Sequence, residues 1–277
     1  METEIITIYV LSDDLLKAMG IREDVQIKMN NAEVITVVLT AAYFFCGHIE
    51  NARNFPGEHG YIPDMLSGSR LNRRIHNISP SVWQNLFFIP DETFRRVNYG
   101  QEYITDSFPV PVCQNIRISR SEIYKGEAYR GFIPCRRVYF YGLRVHMIVT
   151  GNGEPVEFLP APGAESDVTV YKQFSFDLPS DSACYGDKAY NDYDHEDMLK
   201  ETAGITFRPT RKKNSLRAND SYIERKAHST FRKRIETAFS GITALFPKSI
   251  HAVTAKGFEM KVIAFIIRAN AFEIYTP

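Results

Sequence analysis

Apolar residues recur at helical spacing through much of residues 1–98. Val34, Val37, Val38, Ala41 and Phe45 share one face of a segment predicted helical over 32–45, with Asn31 ahead of it as a cap and Gly47 as its stop. A short helix is predicted over 49–54 before the Phe55-Pro56-Gly57 turn, another begins near Ser69, and 80–89 reads as one more. From about Tyr99 the period changes. Residues 102–106 are short and extended, ending at the Phe108-Pro109-Val110-Pro111 break. Residues 138–149 alternate strictly, with Tyr139, Tyr141, Leu143, Val145, Met147 and Val149 on an apolar face and Arg144 and His146 on the other. Gly151-Asn152-Gly153 turns the chain into a partner strand over 155–160. Beyond it, helices are predicted over 167–174, 192–202, 222–246 and 251–272, with short strands at 182–187 and 205–208. This order predicts an α/β domain with a mixed sheet flanked by helices, over 99–277, behind an all-helical region at 1–98.

Composition narrows the class without naming a function. The 277 residues are 44% hydrophobic and 24% charged, ordinary for a globular chain, and the formal net charge is zero. Cys46, Cys113, Cys135 and Cys184 show no metal-binding spacing and read as reduced thiols. The longest apolar stretch, 34–46, is too short to cross a bilayer, and the acidic N-terminus is no signal peptide. A cytoplasmic protein without a membrane partner is the expectation.

The charges cancel overall but are segregated. Arg208, Arg211, Lys212, Lys213, Arg217, Arg225, Lys226, Arg232, Lys233 and Arg234 are opposed locally only by Asp220, Glu224 and Glu236, whereas 154–201 is acid-rich. A basic run of that density suits phosphate neutralisation, or else forms a solvated surface. Arg70, Arg73 and Arg74 gather on the helix beginning near Ser69, which suits DNA contact or simple solvation.

Two acids fall where ligands gather in such sheets. Asp106 and Asp187 each end a short strand, and Glu236 lies at the edge of the apolar stripe of an otherwise basic helix, four residues after Arg232. Three carboxylates suit a pair of hard divalent cations acting at a phosphoryl centre. Spacing alone makes this a weak signal.

The words around these positions are more specific. Thr105-Asp106-Ser107-Phe108-Pro109-Val110-Pro111-Val112-Cys113, with Asn115-Ile116-Arg117, resembles the first-aspartate block of the bacterial insertion-sequence transposase family numbered 982. Tyr141-Gly142-Leu143-Arg144-Val145-His146 is similar to its second strand, and Gly186-Asp187-Lys188-Ala189-Tyr190 to its second-aspartate block. Arg232-Lys233-Arg234-Ile235-Glu236-Thr237 is similar to its glutamate helix, and Ser69–His76 resembles its N-terminal region. Ser229 and Thr243 stand where the wider group usually has Tyr and Lys.

The resemblance implies a ribonuclease-H-like fold and a DDE mechanism. Asp106, Asp187 and Glu236 would bind two Mg²⁺ ions, with Mn²⁺ able to substitute. Arg70, Arg73, Arg74, Arg144, His146, Lys188, Arg211, Lys212, Lys213 and Arg232 would contact double-stranded DNA at transposon ends and target. Transposition would require a homodimer or higher oligomer on that DNA. Two alternatives stand beside cleavage and strand transfer: a metal-dependent nuclease on the same fold, and a decayed copy that binds ends without chemistry.

Overall fold

The computed structural model describes residues 1–114, 121–211, 215–217 and 222–275, leaving aside the side chains of 90–93, 135, 222–229, 231, 232, 235 and 271–275. The chain divides into two compact units, Met1–Ile89 with Leu245–Pro277, and Pro90–Ala244.

The first unit is helical. It contains α1 (Glu2–Ala18), α2 (Asn31–Phe44), α3 (Ile49–Glu58), α4 (Gly68–Asn77), the start of α5 (Pro80–Val97), and α9 (Ala255–Tyr275). Asn30, rather than the expected Asn31, caps α2. Its side chain accepts from the Glu33 N–H at 2.8 Å while Glu33 accepts from the Asn30 N–H at 2.7 Å, a reciprocal capping box. Nearly every residue of α2 is buried, so this helix is the unit's core. Helix α9 packs against α2. Arg268 on α9 donates to the Ala42 carbonyl at 2.8 Å, and Asn270 donates to the Phe87 carbonyl at 2.6 Å. The expected division at residue 98 therefore differs from the observed one. The closing helix groups with the N-terminal helices because its apolar face is buried among them. Among the described residues no single helix is long and apolar enough to cross a membrane.

The second unit is built on a six-stranded sheet: β1 (Glu102–Gln114), β2 (Arg130–Ile133), β3 (Val138–Thr150), β4 (Pro155–Pro162), β5 (Ala183–Gly186) and β6 (Thr206–Pro209). Strand β3 pairs antiparallel with β1 along one edge. Its other edge is shared, by β2 against Val138–Tyr141 and by β4 against Leu143–Val149. Strands β5 and β6 continue the sheet parallel to β1. The order β4–β3–β1–β5–β6, with three antiparallel strands and then two parallel to the central one, is that of a ribonuclease-H-like sheet. The fold is therefore a mixed α/β sheet flanked by helices, with an all-helical N-terminal region.

Helices cover both faces. On one, α6 (Asp167–Tyr171) and α7 (Tyr193–Ala203) close a core of Tyr103, Ile148, Val156, Tyr171, Tyr190 and Phe207, among others. On the other, α8 (Tyr222–Ala244) packs on β1, with Phe239 edge-on to Phe108 at a ring separation of 6.2 Å. Because both faces are covered, the second half of β3 is buried on both sides. His146, expected on a polar face, has no exposed surface.

Strand β1 does not stop at its prolines. The Gln101 carbonyl accepts from Ala183 on the β5 side, whereas the Glu102 carbonyl accepts from Gly151 on the β3 side. Odd-numbered residues of β1 thus direct their backbone polar groups away from β3. Strand β5 pairs only as far as Ile104, so the missing N–H groups of Pro109 and Pro111 point to an edge with no sheet partner. At Gly142, opposite Pro111, an added Cβ would stand 2.4 Å from the Val110 carbonyl oxygen. Gly142→Ala is expected to lower the unit's stability by about 1–3 kcal/mol, the usual cost of overpacking. Urea unfolding measures this, and a change under about 0.5 kcal/mol, an ordinary surface effect, would contradict the tight approach.

Candidate active site

The first carboxylate sits mid-strand on β1. Asp106 has the same parity as Phe108, which places it on the face that α8 covers. Its carboxylate accepts from the Ser107 N–H at 2.8 Å. Burial pushes its pKa up to about 6, helped by the charges of Asp187 and Asp167 and opposed by the Ser107 N–H and by Arg144. Asp187 follows β5, the strand parallel to β1. It caps the short turn Lys188–Tyr190 by accepting from the Ala189 N–H at 2.7 Å and is exposed, as is Lys188. Behind the pair, on the other face of the sheet, lies Tyr190, 1% exposed; burial and the charges of Asp106 and Asp167 push its pKa up, opposed by the Ser107 side chain.

Sequence reasoning missed Asp167. Placed only as the start of a helix, it opens α6 beside the strand pair and accepts from the Ser107 hydroxyl at 3.0 Å. Arg144 donates to the same hydroxyl oxygen at 3.3 Å and stands 4.0 Å from the Asp167 carboxylate. His146 Nδ1 lies 3.7 Å from that carboxylate. The available signal was topological: β4 returns along β3, so the residue after its turn arrives next to Arg144 and His146. Asp167 thereby gathers Ser107, Arg144 and His146 on the α6 face of the sheet, opposite the face that carries Asp106.

Burial drives the His146 pKa down to about 4, against the charge of Asp167 and with that of Arg144. The ring is therefore neutral near pH 7. It has no exposed surface.

Glu236 is exposed on α8, one turn before Phe239. The structure thus brings Asp106 and Asp187 together, carries Glu236 on the helix that covers the face of Asp106, and places Asp167 on the opposite face. Among the described residues no set of three His, Cys, Asp or Glu side chains is arranged to hold a metal ion.

Several basic residues expected at DNA have protein partners. Arg74 donates to Glu23 at 2.9 Å, to the Met29 carbonyl at 3.1 Å and to Asn31 at 2.9 Å, while Arg70 and Arg73 on the same helix are exposed. Arg211 makes a two-pronged ion pair with Glu196, at 2.7 and 2.6 Å, and also donates to Asn191. That pair is largely buried, so the first task of Arg211 is to fasten its loop to α7. Arg217 is likewise held by Asp197, at 2.9 Å. Lys212, Lys213 and the Arg232 side chain lie outside the described residues.

The sheet order, with Asp106 on the central strand and Asp187 just past the neighbouring parallel one, defines the class of the fold as ribonuclease-H-like. The model of the family described as Transposase DDE domain matches residues 98–246, more than half of the chain, and the chain belongs to that family. Among solved structures, the piggyBac transposase synaptic complex with hairpin DNA is similar at a TM-score of 0.48 and 11% identity, over 94% of this chain and 70% of that one. No curated protein matches the chain.

The His146 pKa fixes a sign. A buried ring with a depressed pKa stabilises the fold fully above the unfolded value near 6.5, and that contribution is lost as pH falls toward about 4. The stability difference between wild type and His146→Gln should therefore shrink by about 2–3 kcal/mol between pH 7 and pH 4. Denaturant titrations at each pH test this, and a constant difference would show that the ring titrates normally.

Proposed function

We propose that this chain is a metal-dependent DNA transposase of the insertion-sequence family numbered 982, cutting element ends and joining them to target DNA. The observation that carries the proposal is the pairing of Asp106 and Asp187 at adjacent parallel strands within the residues matched by the transposase family model. Carboxylate oxygens are the donors that Mg²⁺ or Mn²⁺ prefers, and two acids acting on each other beside a buried position suit cations. We assign Asp106 and Asp187 as metal ligands, with Glu236 completing the set from α8 by a change in side-chain position when DNA and ions are present. Two divalent cations held there supply activation of the attacking oxygen and stabilisation of the leaving one.

The chain's own groups do the rest. The Ser107 and Ala189 N–H groups hold Asp106 and Asp187 in place. Asp167 fixes Ser107 and, with it, Arg144, whose positive charge favours the ionised Asp106 from the opposite face of the sheet. Lys188, exposed after Asp187, and Arg70 and Arg73, exposed on α4, are assigned to DNA phosphates, and an oligomer holds two ends together. Arg74 and Arg211 support these elements from within.

The test uses a plasmid carrying the coding locus with its flanking DNA, incubated with protein and Mg²⁺. Asp106→Asn and Asp187→Asn should each reduce cleavage by more than about a hundredfold, beyond the cost of losing an outer-shell partner, and Glu236→Gln should do the same. End binding in a mobility-shift assay should survive in all three. Cleavage retained in either aspartate variant contradicts the assignment. Wild-type cleavage without joining makes the protein a nuclease, and binding without cleavage makes it a decayed copy.

A further inference from the structure

Apart from the acidic site, one surface of the second unit has exposed aromatic rings among arginines. Strand β2 alternates, with Arg130 and Phe132 exposed and Gly131 and Ile133 buried. In register with it on β3, Tyr141 faces Arg130 and Tyr139 faces Phe132, so all four side chains share one face of the two-stranded ribbon. The opposite face is closed. Phe140 is fully buried across Gly131, where an added Cβ would come within 2.4 Å of the ring. On the open face Phe132 is 40% and Tyr139 47% exposed, with ring centres 4.9 Å apart. The Arg130 guanidinium lies 4.6 Å from the centre of the Tyr139 ring, and Glu127 tethers both Arg130, at 3.2 Å, and the Tyr141 hydroxyl, at 3.0 Å. Arg136 and Arg137, in the turn between the strands, are exposed beside the rings.

We propose that this ribbon face is a binding platform for unpaired nucleotides of the DNA being processed, with Phe132 and Tyr139 stacking on bases and the arginines meeting the backbone phosphates. The proposal rests on the reading of the chain as a DNA-acting transposase. Three observations favour a nucleic-acid strand as the occupant. Every base has a face that an exposed ring can stack on, and stacking needs no particular sequence. Arg130, Arg136 and Arg137 outnumber the single acid Glu127, which gives the patch the charge a phosphate backbone requires. The platform is also tied to the strand that carries Asp106. Arg144 donates to the Phe132 carbonyl at 3.4 Å and to the Ser107 hydroxyl at 3.3 Å, and Ser107 follows Asp106.

The test compares a blunt DNA duplex with the same duplex bearing a single-stranded adenine tail, one tail base replaced by fluorescent 2-aminopurine. Wild type should bind the tailed duplex about tenfold more tightly than the blunt one and quench the 2-aminopurine signal on binding. Phe132→Ala and Tyr139→Ala should each remove most of that preference and the quenching, leave blunt-duplex binding unchanged, and lower the thermal unfolding temperature only by a few degrees because both rings are partly exposed. Phe132→Trp should retain the preference. Tail binding and quenching that persist in both alanine variants overturn the platform but leave the DNA-acting reading intact. A change in sedimentation behaviour in those variants with tail binding unaltered makes the patch a protein contact and likewise overturns it. Wild-type protein that binds neither duplex overturns both readings together.

Discussion

Placing the Asp106 carboxylate on the central strand, largely out of water and within reach of two other acids, is the constraint around which the second unit is arranged. A desolvated carboxylate beside like charges is unfavourable in its ionised form, and its pKa rises accordingly. Two partial remedies are visible: the N–H of the next residue and the guanidinium of Arg144. Both depend on β1 and β3 staying in register through a long antiparallel pairing that extends past two prolines. The remaining excess of negative charge is what bound divalent cations would relieve. On the opposite face, Ser107, Asp167, Arg144 and Tyr190 sit on strands and helix starts rather than loops, which hold a position more sharply.

Charge is organised by the fold in a way that linear order hides. The acid-rich stretch before residue 201 and the basic run after 206 look like two separate surfaces. In three dimensions part of each cancels the other, since Glu196 and Asp197 on α7 engage Arg211 and Arg217. A buried two-pronged pair of this kind serves geometry more than net stability, because desolvating both charges offsets much of their attraction. Its effect is to fix the loop that follows β6 against the helix that follows Asp187. Local charge density overstated how many of these cations are available to a phosphate backbone, and Arg74 in the helical unit shows the same effect.

Much of the architecture was legible wherever one physical signal dominated. The apolar period of α2, the alternation of β3, the Gly-Asn-Gly turn and the strand–helix alternation after it gave the sheet and its flanking helices, and the two aspartate blocks pointed to a DDE transposase domain. Three features were not legible, each because it depends on a distant partner. Strand β1 runs through Pro109 and Pro111 because no parallel neighbour reaches them, a fact of sheet topology. Helix α9 joins the N-terminal helices because of what it packs on, which its own periodicity does not encode. Asp167 looked like a helix-opening residue and in addition contacts Ser107, Arg144 and His146 on the face of the sheet behind Asp106. Strand β2, four residues long and exposed on one face, was too short to stand out.

The central claim is that the carboxylates gathered at β1 and β5 form a divalent-cation site in the folded protein. Titrating Mn²⁺ into the protein and following the free ion by electron paramagnetic resonance tests this without any need for DNA or turnover. The account predicts saturable binding by wild type that falls at least about tenfold in Asp106→Asn and in Asp187→Asn. Equal Mn²⁺ affinity in wild type and both variants would contradict it.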